Sequence, residues 1–579
     1  MVPARQPEAK WRRLADHLNF LYETEGAGPM LDSLERRLRA HSLRPPPTAG
    51  PLDAGDAVLI TYADQLRGPE AAPLEVLREF LAARADGLIS GIHLLPFYPS
   101  SSDDGFSVID YRRVDPACGD WEQVHALAQD FRLMVDAVIN HASARSEWFQ
   151  AFQRGDDAYA DYFLTMDPRS DLSRVIRPRD LPLLTAVDTS GGTRHLWTTF
   201  GPDQFDLNFS NPQVLLEILD LLLFYVGQGA QFIRLDAIAF LWKQPGTTCL
   251  HLPQTHAVVR LIRTLLEIAA PWVRLISETN VPHAENLSYF GDGTDEAHLV
   301  YQFALPPLVL HSLTAGEASR LTGWAAELRL PGERVTFFNF LASHDGIGLR
   351  PVSGILEEAE LQKLLELTQA RGGGISHRRG QDGAASPYEL NINYLDALSP
   401  PGEMETDPSR SAARFLVAQA IMLSLQGLPG IYFHSLVGSR GDRQGAERSG
   451  RLRSINRQKL DADALEAELA DPHSLRSRIF GGYAHLLRAR RSHPGFSPGA
   501  GQQVLDLGPG VFAVLRQDAG SGRRVLCVHE VAGQAAAWPL QTRAGRGVDL
   551  LGRGLVDLRS VHLAPYQARW IDLDRDGPA

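Results

Sequence analysis

The chain has 579 residues, of which 44% are hydrophobic, 22% charged and 8% aromatic, a composition typical of a large globular protein and unlike a disordered or collagen-like chain. Its 69 acidic and 57 basic side chains give a formal net charge of −12, which excludes a broad basic surface of the kind that binds nucleic-acid phosphates. We therefore expect no nucleic-acid partner, and any anion must bind at a local site.

The N-terminal residues 1–50 are predicted to form a helical extension in front of the main domain. Apolar residues recur at helical spacing over residues 8–41, and the breaker sequence LRPPPTAGP follows. Charged residues interrupt the apolar positions, so we expect no signal peptide. The sequence also lacks an uninterrupted run of about 18 apolar residues, so we expect no membrane partner. The three cysteines lie far apart in the chain and one must stay unpaired, which favours a reduced, cytoplasmic protein.

Beyond residue 51, short β-rich runs alternate with longer amphipathic helical patterns, which predicts parallel strands joined by helical crossovers. The eight predicted strands are 57–61, 91–95, 133–139, 231–235, 273–277, 298–303, 335–342 and 430–433. Eight such units predict a closed (β/α)8 barrel of the TIM type over residues 51–493. An open doubly wound sheet is the alternative, but the GxGxxG turn of its dinucleotide-binding members is absent from the sequence.

Two predicted connections are much longer than the few residues that usually join elements in such barrels. Residues 142–212 follow the third strand and residues 346–410 follow the seventh, and we interpret both as insertions on the face that carries the chemistry. Residues 494–579 have an alternating, turn-rich pattern, which predicts a C-terminal antiparallel β-domain.

Three acidic residues stand at the carboxyl ends of three predicted strands, namely Asp236, Glu278 and Asp345. One such acid is usually the N-cap of the next helix, but three together are expected to converge over the mouth of the barrel. Paired carboxylates at such a mouth suit glycoside chemistry, in which one attacks the anomeric carbon and the other donates a proton. Arg234, two residues before Asp236 and on the same face of the strand, is expected to keep Asp236 ionised.

Asp64 and His93 lie at two further strand ends and are expected to point toward the same opening. For His93 alone, the common alternative is a core histidine whose ring nitrogens are both satisfied.

Several segments together resemble known glycoside-processing enzymes. The segments DAVINH (136–141), IRLDA (233–237), SET (277–279) and SHD (343–345) resemble, in this order, the four signature segments of the α-amylase superfamily. The segments ITYAD (60–64), HLLPF (93–97), RPR (177–179) and SINR (454–457) resemble its sucrose phosphorylase subfamily. This resemblance, over residues 50–495, implies Asp236 as nucleophile, Glu278 as acid/base and Asp345 as the residue that grips sugar hydroxyls.

The resemblance also implies a glucose subsite and an anion site. The glucose subsite comprises Asp64, His93, Phe106, Phe200, Gln204, Arg234, Phe240, His344 and Arg457. Phosphate or the acceptor is expected to contact Arg179 on the first insertion and Tyr388 and Glu389 on the second, because a guanidinium binds phosphate bidentately. The alternatives are an ordinary surface arginine for Arg179 and core packing for Phe240.

Asn140 and His141 match positions that often help to bind calcium in amylases. The phosphorylases that the chain resembles usually lack this ion, so we predict no metal and no cofactor.

The subfamily resemblance implies a retaining α-glucoside phosphorylase, a hexosyltransferase that makes α-glucose 1-phosphate from an α-glucoside and inorganic phosphate. Ile176 stands where sucrose phosphorylase has a tyrosine, and the segment SPYELN (386–391) and the helical extension also differ. These features resemble the glucosylglycerate phosphorylases, whose acceptor carries a carboxylate. Sucrose or sucrose 6'-phosphate as substrate, simple hydrolysis and a non-catalytic protein are the alternatives, and a homodimer is the candidate assembly.

Overall fold

The computed structural model describes residues 8–22, 27–179, 181–379, 385–539 and 545–574. Eight parallel strands form a closed barrel in which neighbours in space are neighbours in the chain. They are β1 (Val58–Thr61), β2 (Gly91–Leu94), β3 (Arg132–Ala137), β4 (Ala230–Leu235), β5 (Arg274–Ser277), β6 (Leu299–Tyr301), β7 (Thr336–Asn339) and β8 (Leu428–Tyr432). The predicted (β/α)8 barrel is confirmed, and the open sheet is excluded because β1 pairs with β8.

The barrel strands are buried on both faces, which explains why they read as continuous Val, Ile and Leu runs rather than as alternating patterns. Two predicted strands, 298–303 and 335–342, are longer than the observed β6 and β7. The apolar run of β7 continues through Phe340 and Leu341, which are buried but lie outside the ladder. Hydrophobicity alone therefore could not mark the end of this strand.

Helices cover the outside of the barrel. Those between the barrel strands are Pro73–Arg84, Trp121–Asp130, Pro212–Gly227, Pro253–Ala269, His283–Leu287, Leu305–Ala315, Ser319–Glu327 and Pro408–Ser424, and those after β8 are Phe433–Leu436, Arg443–Ser449, Ala462–Ala470 and Leu475–Arg491. Four of the long helices begin with proline, which fits the first turn because that turn needs no N–H donor. Among the described helices, none is both long enough and apolar enough to cross a membrane.

Both insertions leave the carboxyl ends of barrel strands, so they lie on the rim that carries the three acids. The first contains the helix Glu147–Arg154, the paired strands His141–Ser143 and Gln204–Asp206, and the hairpin Leu184–Thr189 with Gly192–Trp197. The second contains the helices Glu358–Ala370, Tyr394–Leu398 and Glu403–Thr406 and a sheet of Ile347–Gly348, Gly374–Arg379 and Ala385–Asn391.

In its described residues, the N-terminal extension forms two helices, Glu8–Tyr22 and Gly28–Ala40, that pack against the outer helices of the barrel. Leu14 and Leu18 are fully buried in this contact, and the Lys10 ammonium donates a hydrogen bond to the carbonyl of Glu267 at 2.8 Å. Residues 1–7 and 23–26 of the predicted extension lie outside the described residues.

The C-terminal part contains an antiparallel sheet of six strands. In spatial order these are Gly501–Asp506, Val511–Gln517, Arg524–Glu530, Ala568–Asp572, Arg546–Asp549 and Leu555–Asp557. Arg516 joins the sheet to the barrel side, because its buried guanidinium donates to the carbonyls of Ser424 at 2.9 Å and Ser497 at 3.0 Å.

Candidate active site

The three acids meet in one cavity over the carboxyl end of the barrel. Asp236 directly follows β4, Glu278 directly follows β5, and Asp345 lies in the segment after β7. All three line the same cavity, and their side chains are 11%, 12% and 20% exposed. The structure thus brings together the carboxylates that the strand ends suggested, in a setting largely shielded from solvent.

A buried guanidinium joins the first two acids. Arg234 Nη1 lies 2.8 Å from Asp236 Oδ1, and Arg234 Nη2 lies 3.8 Å from Glu278 Oε1. The same Nη1 lies 2.5 Å from Asp136 Oδ1, at the end of β3. Because an ionised side chain is stable inside a protein only when it is paired, Arg234 explains how this cluster of acids can be buried.

A strained turn positions Glu278 beside the Asp236 segment. Ala237 has φ +47° and ψ +33°, a left-handed conformation that is uncommon for a residue with a β-carbon. Its backbone N–H donates to Glu278 Oε2 at 2.9 Å. The turn therefore holds the Glu278 carboxylate next to Asp236, the residue that precedes Ala237.

The electrostatic surroundings separate the protonation states of the acids. Burial raises the pKa of Glu278 to about 7, and the negative charges of Asp236 and Asp345 also raise it. Burial also raises the pKa of Asp236; the Arg234 guanidinium opposes the shift at both acids, but of the two it donates a hydrogen bond only to Asp236. In this coupled pair we therefore assign the shared proton near neutral pH to Glu278 and the negative charge to Asp236.

Asp345 is held ionised by three neighbours that contact a single one of its oxygens. Oδ1 lies 2.5 Å from Arg453 Nη1, 3.4 Å from Arg457 Nη2 and 3.5 Å from His344 Nε2. Burial raises the pKa of Asp345, but these groups together lower it well below its usual range. Its Oδ2 has no hydrogen-bond partner within the described chain, so this oxygen is free to accept a hydrogen bond from a hydroxyl group.

Two histidines of the site each keep one ring nitrogen free. His93 Nε2 lies 2.7 Å from Asp136 Oδ2, and the His344 ring stacks on Phe106 with centroids 4.9 Å apart. The Nδ1 atoms of both imidazoles are buried and have no partner among the described residues. His93 is therefore not a core histidine with both nitrogens satisfied.

Most of the predicted site residues line the cavity, and several lining residues were not predicted. The predicted ones are Phe106, Arg179, Phe200, Gln204, Asp236, Phe240, Glu278, His344, Asp345 and Tyr388. The additional ones include Asp103, His141, Pro178, Ala239, Thr279, Asn280, Val281 and Arg453. The Phe200 and Phe240 rings meet edge to face at 5.5 Å and form an aromatic wall of the cavity, so Phe240 is more than core packing.

The other predicted residues lie beside or behind the lining. His93 and Arg234 hold Asp136, and Arg457 donates to the carbonyl of His344 at 2.9 Å. Glu389 contacts Arg453 behind the cavity wall. Asp64 lies outside the cavity lining, and Lys459 Nζ lies 2.5 Å from its Oδ1.

Arg453 is the main residue that sequence reasoning missed. It lies on the 3-10 helix Leu452–Asn456, four residues before Arg457. The SINR motif placed the neighbouring Arg457 in the glucose subsite, but no motif in the sequence indicated that Arg453 also reaches the cavity.

The residues around Asn140 do not fit a calcium ion. The buried ammonium of Lys243 lies 2.7 Å from Asn140 Oδ1 and 2.5 Å from Asp206 Oδ2, so a side-chain cation already occupies this position. Among the residues that the structure describes, no cluster of three or more His, Cys, Asp or Glu side chains is arranged to hold a metal ion.

The chain is similar in sequence and in fold to known enzymes. The family "Alpha amylase, catalytic domain" matches residues 87–345. A glucosylglycerate phosphorylase of Spirochaeta thermophila is 51% identical over 97% of this chain and 99% of its own, and one of Allomeiothermus silvanus is 49% identical over 98% and 99%. The crystal structure of sucrose 6F-phosphate phosphorylase from Thermoanaerobacter thermosaccharolyticum has a TM-score of 0.72 at 23% identity and covers 84% of this chain and 95% of that chain, which shows a shared fold.

Proposed function

Since the chain belongs to the glucosylglycerate phosphorylase family of the α-amylase superfamily, we propose that it catalyses the reversible phosphorolysis of glucosylglycerate to α-glucose 1-phosphate and glycerate. The observation that carries this proposal is the high identity over nearly the whole chain, including both insertions and the extension. A non-catalytic role is disfavoured because all three acids are present in one cavity.

In the proposed first displacement, Asp236 attacks the anomeric carbon while Glu278 protonates the departing oxygen of glycerate. The bond from carbon to the acceptor breaks, and a β-glucosyl ester with Asp236 forms. The raised pKa of Glu278 supports this role, because its proton is still present near neutral pH. The contact of Glu278 with the Ala237 N–H keeps the two carboxyl groups close, as a retaining mechanism requires.

In the proposed second displacement, a phosphate oxygen attacks the same carbon and Asp236 departs as a carboxylate. Glu278, now ionised, accepts a proton from phosphate when the attacking anion carries one. Two inversions at one carbon give net retention, so the product is α-glucose 1-phosphate. Asp345 supports both steps in this proposal, since its free Oδ2 can accept a sugar hydroxyl and its charge stabilises an oxocarbenium-like transition state.

The cellular setting is part of the proposal. Cys118, Cys249 and Cys527 are all free, which is consistent with a reducing compartment, and we place the enzyme in the cytoplasm.

The pH dependence follows from the required protonation of Glu278. We expect kcat/KM for glucosylglycerate to fall as the pH rises through about 7, because the acid that protonates glycerate is then lost. In a double displacement this ratio reports the first displacement alone, so the titration of phosphate does not affect it. Initial rates between about pH 5 and pH 9 measure the profile, and a rate constant that stays flat up to pH 9 would contradict this role for Glu278.

The substrate is tested by comparing glucosylglycerate with sucrose, sucrose 6'-phosphate and glucosylglycerol. We expect glucosylglycerate to have the highest kcat/KM, by at least about tenfold, when the release of glucose 1-phosphate is measured. Faster turnover of sucrose would contradict glycerate as the acceptor but would leave the proposed mechanism unchanged. Release of glucose with little glucose 1-phosphate at high phosphate would instead identify a hydrolase.

A further inference from the structure

Two separate segments of the chain carry the aromatic wall of the cavity. Phe200 belongs to the first insertion, and Phe240 belongs to the segment that follows Asp236 at the end of β4. Their rings meet edge to face with centroids 5.5 Å apart. The position of the wall therefore depends on the contacts that hold the first insertion against the segment after β4.

A buried ion pair joins these two segments directly behind the wall. Lys243 Nζ lies 2.5 Å from Asp206 Oδ2, and the two side chains are 3% and 0% exposed. The Asp206 carboxylate also accepts hydrogen bonds from the backbone N–H of Thr199 at 3.0 Å and from its hydroxyl at 2.6 Å. Thr199 directly precedes Phe200 in the chain. Because Lys243 follows Phe240 by only three residues, this ion pair holds both rings of the wall from behind.

A tyrosine of the N-terminal extension joins the same two segments farther out. The Tyr22 hydroxyl donates a hydrogen bond to the carbonyl of Phe209, in the first insertion, at 3.0 Å. The Tyr22 ring contacts Trp242, in the segment after β4, with ring centroids 6.4 Å apart. Burial raises the pKa of the Tyr22 phenol, as expected for a hydroxyl that is withdrawn from water. Tyr22 therefore bridges both segments although it belongs to neither.

These contacts form three layers, which are the aromatic wall, the ion pair behind it and the Tyr22 bridge. Trp242 lies two residues after Phe240 in the chain. Phe209 lies three residues after Asp206. The connecting residues are largely buried, and close-packed segments of this length transmit a displacement rather than absorb it.

We propose that the N-terminal extension is part of the substrate-binding apparatus and that Tyr22 is a positioning residue, which fixes the aromatic wall against the bound glucosyl unit. This inference rests on the proposed function in so far as the cavity binds a glucosyl unit. The wall contacts the sugar both before and during cleavage, so its displacement weakens substrate binding more than it slows the chemical step. Loss of the bridge is therefore expected to raise KM and to leave kcat nearly unchanged.

The test compares two hydrogen bonds that attach the same helix to the rest of the chain. Tyr22→Phe removes the bond to Phe209 and keeps the ring, and Tyr22→Ala removes both contacts of the bridge. The control is Lys10→Met, which removes the bond from Lys10 to the carbonyl of Glu267. Lys10 lies on the same helix as Tyr22, about 18 Å away along its axis, and this bond involves neither wall segment.

Kinetics are measured as fluoride release from α-glucosyl fluoride, whose turnover in water needs neither phosphate nor glycerate. We expect Tyr22→Ala to raise KM by about 2- to 10-fold, the range of one lost hydrogen bond, with kcat within about twofold of wild type. Tyr22→Phe should show a smaller rise in KM, and Lys10→Met should show none.

Amide hydrogen exchange detects the wall segments without any substrate. In Tyr22→Ala, peptides that cover residues 199–209 and 238–243 should exchange faster than in the wild type, and in Lys10→Met they should not. A double variant shows whether the bridge acts through the wall. In the background of Phe240→Leu, whose wall lacks one ring, Tyr22→Ala should no longer raise KM.

Three outcomes would overturn the proposal. An equal rise in KM for Lys10→Met, or faster exchange over the whole barrel in Tyr22→Ala, would show that the extension only stabilises the fold. Unchanged exchange of the wall segments in Tyr22→Ala would show that the bridge does not hold them. An undiminished rise in KM in the Phe240→Leu background would show that Tyr22 acts by another route.

Failure of the proposed function gives a different result. A wild-type enzyme that forms no glucose 1-phosphate from glucosylglycerate and phosphate would contradict that function alone. The exchange measurement would still decide the role of Tyr22, because it needs no substrate.

Discussion

Replacement of Asp236 by asparagine is expected to lower kcat for phosphorolysis by at least about 10⁴-fold, because an amide cannot form the glucosyl ester. The replacement keeps the size of the side chain and leaves Arg234 with Asp136 as a partner at 2.5 Å. The loss therefore reports chemistry rather than a rearranged site. Rates of glucose 1-phosphate release at saturating glucosylglycerate and phosphate measure it.

The same variant should be at least as stable as the wild type. Burial raises the pKa of Asp236 above that of an unfolded aspartate, so its ionised form opposes folding at neutral pH. A neutral amide removes this opposition, which predicts an unchanged or higher thermal midpoint. Asp130→Asn, on the exposed end of a barrel helix, is the control and should retain full activity. Full-speed turnover by the Asp236 variant would refute the nucleophile assignment.

Replacement of Glu278 by glutamine is expected to lower kcat/KM for glucosylglycerate by about 10²- to 10⁴-fold, the usual contribution of a general acid. The loss should be much smaller with α-glucosyl fluoride, because fluoride departs without needing a proton from Glu278. The decline of the rate above about pH 7 should also disappear, because the group whose pKa is raised to about 7 is gone.

The control for this variant is Glu285→Gln. Glu285 lies in the following helix and is 44% exposed, in contact with His251 at 3.1 Å. It should keep both the rate and the pH profile of the wild type. Equal losses with both donors in the Glu278 variant would assign this residue to sugar binding instead of proton transfer.

The barrel and its three acids could be predicted from the sequence because each depends on local pattern. Strands buried on both faces leave continuous apolar runs, and an acid at the end of such a run stands out. Asp236, Glu278 and Asp345 each followed this rule, and strand topology then required that they share one rim.

The side of the cavity that contains Arg453 could not be predicted in the same way. Arg453 acquires its position from Glu389, which is 64 residues away in the chain and belongs to the second insertion. Asp64 is a second example, since its motif suggested a cavity residue and its carboxylate pairs with Lys459, which is 395 residues away in the chain. Long-range ion pairs of this kind leave no periodic signature in a sequence.

The origin of the cavity walls has an evolutionary consequence. Barrel strand ends supply Asp236 and Glu278, the proposed nucleophile and acid, whereas Arg179, Tyr388 and Arg453 come from excursions of the chain outside the barrel. Mutations in these excursions leave the strand ends that carry Asp236 and Glu278 unchanged. Related enzymes with this architecture can therefore change the acceptor that they release while they retain the same catalytic acids.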